Sequence, residues 1–225
     1  NFVEQVNAAG GSLTIEELRG FTPNWRESIR VEVGSDVAHF APPPASASNV
    51  AAMMFAAMIE DGGFDGANAG RQAHMVADLG LRAFADREAW LNGSGQATRK
   101  DNAIVTGPRV EAMLQGYRDD MRTPVARFSL APRNRHENPS ATGFAAADVF
   151  GNAVSCVVTM NAAFGTGRVA PGTGVLLSAA PSNSGRGPIG LAPMIVTNEN
   201  SKEFRFAATA SGGVTAPSAL AQVAA

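Results

Sequence analysis

Two hydrogen-bonding side chains, Thr159 and Asn161, stand two residues apart at the end of an apolar run. A hydroxyl beside a carboxamide can hold or activate a reacting group brought up to them. Residues 153–161 read as a strand, and the period of two places Ser155, Val157, Thr159 and Asn161 on one face. Residues 142–148 are rich in small and β-branched residues and read as its partner. Phe150, Gly151 and Asn152 between them supply the chemistry of a tight turn. A group mounted on the first strand of this hairpin would therefore face Thr159 and Asn161. A glycine-rich loop follows, with Gly165, Gly167, Gly172 and Gly174.

The elements that must carry this hairpin fall into two runs. Up to about Phe128 the pattern is mainly helical, with an extended piece over residues 28–40. Thr14 with Glu17 three residues on reads as a capping box. After the break at Pro42, Pro43 and Pro44, the residues Val50, Met53, Met54, Ala57 and Met58 recur at helical spacing, a stripe that reads as core. Val76, Leu79 and Ala83 mark another helix; Val110, Met113, Leu114 and Tyr117 mark a third. Residues 131–140 form a polar, proline-bounded linker, the composition of a reachable surface loop. Beyond it strands dominate, with candidates at residues 175–178, 194–198 and 204–209, and a last helix after Gly213. Helices, then strands, then a closing helix predict an α+β layered domain.

Residues 141–177 resemble the start of the small subunit of the gamma-glutamyltranspeptidases, a family of N-terminal nucleophile hydrolases. The family pattern there is a nucleophilic Thr, any residue, a His or similar, an aromatic, small apolar residues and Asp. A turn, Gly-Asn-Ala-Val, Thr-x-Asn, Phe-Gly-x-Gly and Gly-x-Leu-Leu complete it. This chain has Phe144, Asp148, then Gly151, Asn152, Ala153 and Val154, then Thr159, Asn161, FGTG over residues 164–167 and GVLL over residues 174–177. Upstream, GGSLTIEEL at residues 10–18 and the three prolines resemble large-subunit motifs. Downstream, APMIV at residues 192–196 and SGG at residues 211–213 resemble small-subunit motifs, and all five blocks keep the family's order.

The resemblance implies the four-layer αββα sandwich of the N-terminal nucleophile hydrolases, incomplete over this length. Residues 1–140 would be the large-subunit-like helical part with its cleavage linker, and residues 141–225 the small-subunit-like strand-rich part, together one domain. By the same likeness the chain begins inside a large-subunit motif and ends before the family's small subunit would. The family's arginine clamp for the glutamyl carboxylate lies nearer the N terminus, so no residue here is assigned to it. In such enzymes a threonine hydroxyl first cleaves the precursor, a zymogen, and the freed α-amino group then activates that same hydroxyl. The implied activity is acyl transfer from γ-glutamyl amides such as glutathione to water or amino acceptors, and processing would give a heterodimer of large and small subunits. No cofactor is called for, since a hydroxyl, an amine and backbone dipoles suffice. The Gly212–Gly213 amides would form the oxyanion hole by the same analogy.

Counting back from Phe144, the nucleophile position falls on Ala141, which has no hydroxyl. Three readings stand open: a Thr→Ala substitution that traps the precursor, a natural relative that has lost activity, or a slip that makes Thr142 the nucleophile. The slip is the weakest, because one residue along a strand turns the side chain to the opposite face. The substrate clamp differs too. Asn183 stands where the family's Asp grips the substrate α-amino group, and a neutral amide gives up most of that charge-assisted attraction. Ile189 and Gly190 stand where paired serines bind the α-carboxylate. A non-catalytic relative that binds a ligand or partner is the rival reading.

Other chemistries are weaker. The Gly165–Gly167 and Gly172–Gly174 pairs lack the strand before and helix after that a dinucleotide loop needs. His39, His74 and His136 are too scattered for a metal-ligand set, and Cys156, the sole cysteine, reads as a small hydrophobe on the face opposite Thr159. Glu60 with Asp61, and Asp119 with Asp120, read as solvated acids at helix ends, and Phe144 as packing. A net charge of −2 argues against a nucleic-acid partner and for a small-molecule or peptide substrate. No apolar run reaches membrane-spanning length. The resemblance implies a periplasmic or extracellular setting, while the residues leave the compartment open, the cytoplasm included.

Overall fold

A computed structural model of the chain describes residues 2–43, 45–92, 97–100, 103–128, 140–180 and 190–225. Its centre is helix α3 (Ser46–Asp61), which is buried from Ala47 to Met58 on every side. A helix apolar all round has no solvent face and must be enclosed. Prolines precede it, and Gly62 in the left-handed conformation closes it, its amide donating to the Met58 and Ile59 carbonyls. The methionine stripe thus lies in the core, as its spacing predicts.

Enclosure comes from α4 (Ala69–Arg87), α5 (Gly107–Leu114) and α6 (Ala216–Ala224), and from an antiparallel sheet ordered β1-β2-β5-β6. Its strands are β1 (Ile29–Val33), β2 (Asp36–Phe40), β5 (Ala192–Asn198) and β6 (Phe204–Ala210). The extended piece seen before the linker therefore pairs, through β2 and β5, with strands that come after it. Near the N terminus, α1 (Phe2–Ala8) and α2 (Ile15–Gly20) bury no residue, and the Thr14–Glu17 capping box forms as expected. Tyr117 falls outside the third predicted helix, because α5 stops at Leu114 and Gly116 turns the chain at φ +73°.

The predicted hairpin is β3 (Ala141–Ala147) with β4 (Ala153–Thr159), a separate two-stranded sheet lying on β5 and β6. Opposite faces of β5 are fastened by two serines. Ser48 of α3 donates to the Pro193 carbonyl at 3.2 Å, while Ser155 of β4 accepts from the Met194 N–H at 3.3 Å. The described residues thus form helices, sheet and hairpin sheet in succession, three layers of the expected αββα order. The strand expected at residues 175–178 does not form. Gly172 and Gly174 adopt φ near +73° and curl the chain back, leaving a bridge between Val169 and Leu176.

A buried polar cluster ties α4 to the chain leading toward the linker. Asp78 and Arg82 pair at 2.5 Å, Arg82 donates to the Met113 and Gln115 carbonyls, and Thr123 bonds both side chains.

Candidate active site

Register decides which hairpin residues can act together. Ala141 lies opposite Thr159, Gly143 opposite Val157 and Ala145 opposite Ser155, so these share the face turned to β6. Thr142, Phe144 and Ala146 pair with Val158, Cys156 and Val154 on the outer face, where Phe144, Val154 and Val158 are exposed. Thr142 therefore points away from Thr159, and Cys156 takes the face opposite Thr159 that alternation predicts.

The Thr159 hydroxyl donates to the Ser140 carbonyl oxygen at 2.7 Å and accepts the Asn161 N–H at 3.1 Å. The incoming N–H occupies a lone pair, so the hydroxyl proton is aimed at the Ser140 carbonyl, which belongs to the peptide bond entering Ala141. A hydroxyl pointed at a carbonyl oxygen polarises it and can stabilise negative charge developing there.

Asn161 reaches this position by a route that alternation misses. The strand ends at Thr159, and Asn161 has φ +60°, so it is not on a strand face. Asparagine tolerates the left-handed region because its short amide bonds nearby backbone. Here its Nδ2 donates to the Ala179 carbonyl at 2.8 Å, and the Ala179 N–H returns to the Met160 carbonyl at 3.0 Å. The glycine-rich loop is thereby closed back onto the end of β4. Gly165 has no room for a side chain, since a Cβ would run into the Leu177 carbonyl. Turns, not a helix, follow it.

Gly212 (φ +129°) and the buried Gly213 (φ +65°) form the turn from β6 into α6. They come one residue after β6, whose Thr209 lies directly under the backbone of Gly143. Of the expected clamp residues, Asn183 and Ile189 lie outside the described residues, as do His136 and the linker up to residue 139. Gly190 is buried, and the next carbonyl, of Leu191, accepts the Ser48 N–H at the start of α3.

The side chains set aside on sequence grounds have structural partners. His39 spans Ser28 and Thr197 at 2.8 and 3.2 Å, and burial, aided by Arg30, draws its pKa down. His74 bonds the Arg118 carbonyl. Asp61 and Asp119 both pair with Arg71, and Asp120 pairs with Arg118. Asp61 ends α3, but Asp119 and Asp120 lie in a turn beyond α5. Three groups join these contacts without a signal of their own in the sequence: the Ser140 carbonyl, the Ser155 hydroxyl and Thr209. Alternation puts Ser155 on the inner face, but its cross-sheet partners lie about 40 and 50 residues away.

Comparison with known proteins bears on the family and the fold. The family model for gamma-glutamyltranspeptidase matches residues 1–225. The Glutathione hydrolase proenzyme of Pseudomonas aeruginosa is 30% identical over 179 residues, covering 78% of this chain and 31% of the relative. The Acylase ACY 1 proenzyme of Pseudomonas sp. (strain V22) is 28% identical over 180 residues, covering 77% of this chain and 30% of the relative. The chain thus spans about a third of the length of these curated relatives. The crystal structure of cephalosporin acylase from Bacillus halodurans superposes with a TM-score of 0.65 at 17% identity, over 99% of this chain and 42% of that one. That likeness gives the fold as the N-terminal nucleophile hydrolase type. With a family match over the full length and the hairpin, glycine loop and diglycine turn in order, this chain belongs to the gamma-glutamyltranspeptidase family.

Proposed function

We propose that this chain is the core of a self-cleaving acyltransferase and hydrolase of the gamma-glutamyltranspeptidase type, held uncut because residue 141 has no hydroxyl. The observation that carries the reading is the Thr159 hydroxyl on the Ser140 carbonyl, with Ala141 directly opposite Thr159. With a threonine at 141, the side-chain oxygen attacks the Ser140 carbonyl carbon and Thr159 supports the oxyanion. The C–N bond then breaks, the nitrogen takes the proton, and an ester remains. Water hydrolyses that ester, leaving a carboxylate on residue 140 and a free amine on residue 141. In turnover the amine takes the hydroxyl proton, the oxygen attacks the substrate amide, and the leaving amine carries the proton away. The acyl ester then passes to water or to an amino acceptor, with the Gly212 and Gly213 amides as oxyanion donors.

The acyl donor is a small-molecule or peptide amide of the γ-glutamyl type, glutathione being the model case given the glutathione hydrolase relative. Asn183, Ile189 and Gly190 weaken the grip on a free α-amino acid end, which favours donors that need that grip less, in keeping with the acylase relative. The processed protein is a heterodimer of large and small subunits. One observation favours a second reading, a ligand-binding relative without turnover: Ala141 itself.

Restoring the hydroxyl separates the two. Ala141→Thr is expected to split the chain between residues 140 and 141, followed on denaturing gels and by mass, and to release the amine from a chromogenic γ-glutamyl anilide. A chain that stays whole and turns nothing over favours the binding reading.

A further inference from the structure

The hairpin meets the larger sheet at two points of unusual closeness. Gly143 sits on the inner face two residues past Ala141, and a Cβ there would stand 2.5 Å from Thr209 Oγ1, 2.7 Å from Thr209 Cβ and 3.2 Å from the Cys156 carbonyl. The β3 backbone therefore rests directly on a β6 side chain, an approach that only glycine permits. The second point is Ser155, whose hydroxyl donates to the Ala208 carbonyl at 2.7 Å and accepts the Met194 N–H at 3.3 Å. Met194 and Ala208 are opposite one another in the β5–β6 register, so one hydroxyl spans both strands.

Two contacts on one stiff hairpin fix its height and its position along the sheet. Thr209 lies three residues ahead of Gly212, and Gly143 two beyond Ala141. The seat is thus a short lever between the cleavage point and the diglycine turn. We propose that Ser155 and the Gly143–Thr209 contact are positioning elements, which hold residue 141 and Thr159 in the geometry that cleaves the bond between residues 140 and 141. The proposal rests on the maturation reading above.

Cleavage rates in an Ala141→Thr background test it. Gly143→Ala should lift β3 off Thr209 and slow cleavage about 100-fold, the scale of a misplacement near 1 Å. Adding Thr209→Gly, which removes the clashing Cβ, should bring the rate back to within a few-fold of the parent. Ser155→Ala should slow cleavage and Ser155→Thr, which keeps the hydroxyl, should do so much less. Melting temperatures of the same changes in the uncut Ala141 chain separate positioning from stability. Val110→Ala in α5 should lower Tm at least as much as Ser155→Ala and leave the cleavage rate within a few-fold. Cleavage that follows Tm across all variants, or a Gly143→Ala loss that Thr209→Gly does not relieve, overturns the positioning role alone. An Ala141→Thr parent that never cleaves overturns the maturation reading, and this role with it.

Discussion

At the scale of single residues, the site turns on the direction of one O–H bond. Thr159 has a fixed acceptor role toward the Asn161 amide, which leaves its proton for the Ser140 carbonyl. In an Ala141→Thr chain, Thr159→Val should therefore slow cleavage about 100- to 1,000-fold, the usual cost of deleting one oxyanion donor. Thr159→Ser should retain most of the rate, and timed appearance of the two fragments measures both. Strand alternation makes Thr159 legible in the sequence, whereas residue 141 is reached only by counting back from Phe144 in the motif that the family resemblance supplies. Asn161 is only half legible: alternation sets it beside Thr159, but along a strand that ends at Thr159. A single left-handed residue carries no periodic signal, and the bond to Ala179 spans 18 residues of loop.

At the scale of elements, the hairpin, α3 and the Thr14 cap follow from local rules, since each is decided within a few residues. The segment at residues 175–178 did not, because its apolar run is bent by glycines and pairs within its own loop. The Asp78–Arg82 spacing shows an i,i+4 pair, yet Thr123, 45 residues from Asp78, could not be inferred. Burial alone would raise the pKa of Asp78; the bonds from Arg82 and Thr123 outweigh it and hold the carboxyl below its ordinary value. A depressed folded pKa gives stabilisation that is full above the unfolded value of about 4 and drains away as pH falls through the folded one. Asp78→Asn, which leaves the Arg82 charge buried without its partner, should cost about 3–5 kcal/mol in denaturant unfolding at neutral pH. It should also flatten the acid limb of stability against pH.

At the scale of the whole molecule, the sheet order was the least legible feature, because β2 and β5 are separated by about 150 residues and nothing local says that they meet. Their pairing has a direct outcome for a cut chain. The two pieces, of 140 and 85 residues, share one sheet and one core, with β1 and β2 on one side of the cut and β5 and β6 on the other. Products of Ala141→Thr cleavage should co-elute in size exclusion without denaturant and separate only when unfolded. Elution as two independent species would contradict the shared sheet. The hairpin's outer face leaves Phe144, Val154 and Val158 open, and Val149 and Phe150 are exposed at its tip.

Under the proposed maturation, the bond between Thr159 and Ser140 also implies an order of events. A hydroxyl has a single hydrogen to give, and in the intact polypeptide that hydrogen is already engaged by the chain's own backbone. If Thr159 serves the proposed chemistry, the uncut molecule holds its own carbonyl where a substrate carbonyl would come, as a tethered inhibitor would. On the proposed reading an incoming amide would wait for residue 140 to leave, so that maturation would also free the Thr159 hydroxyl.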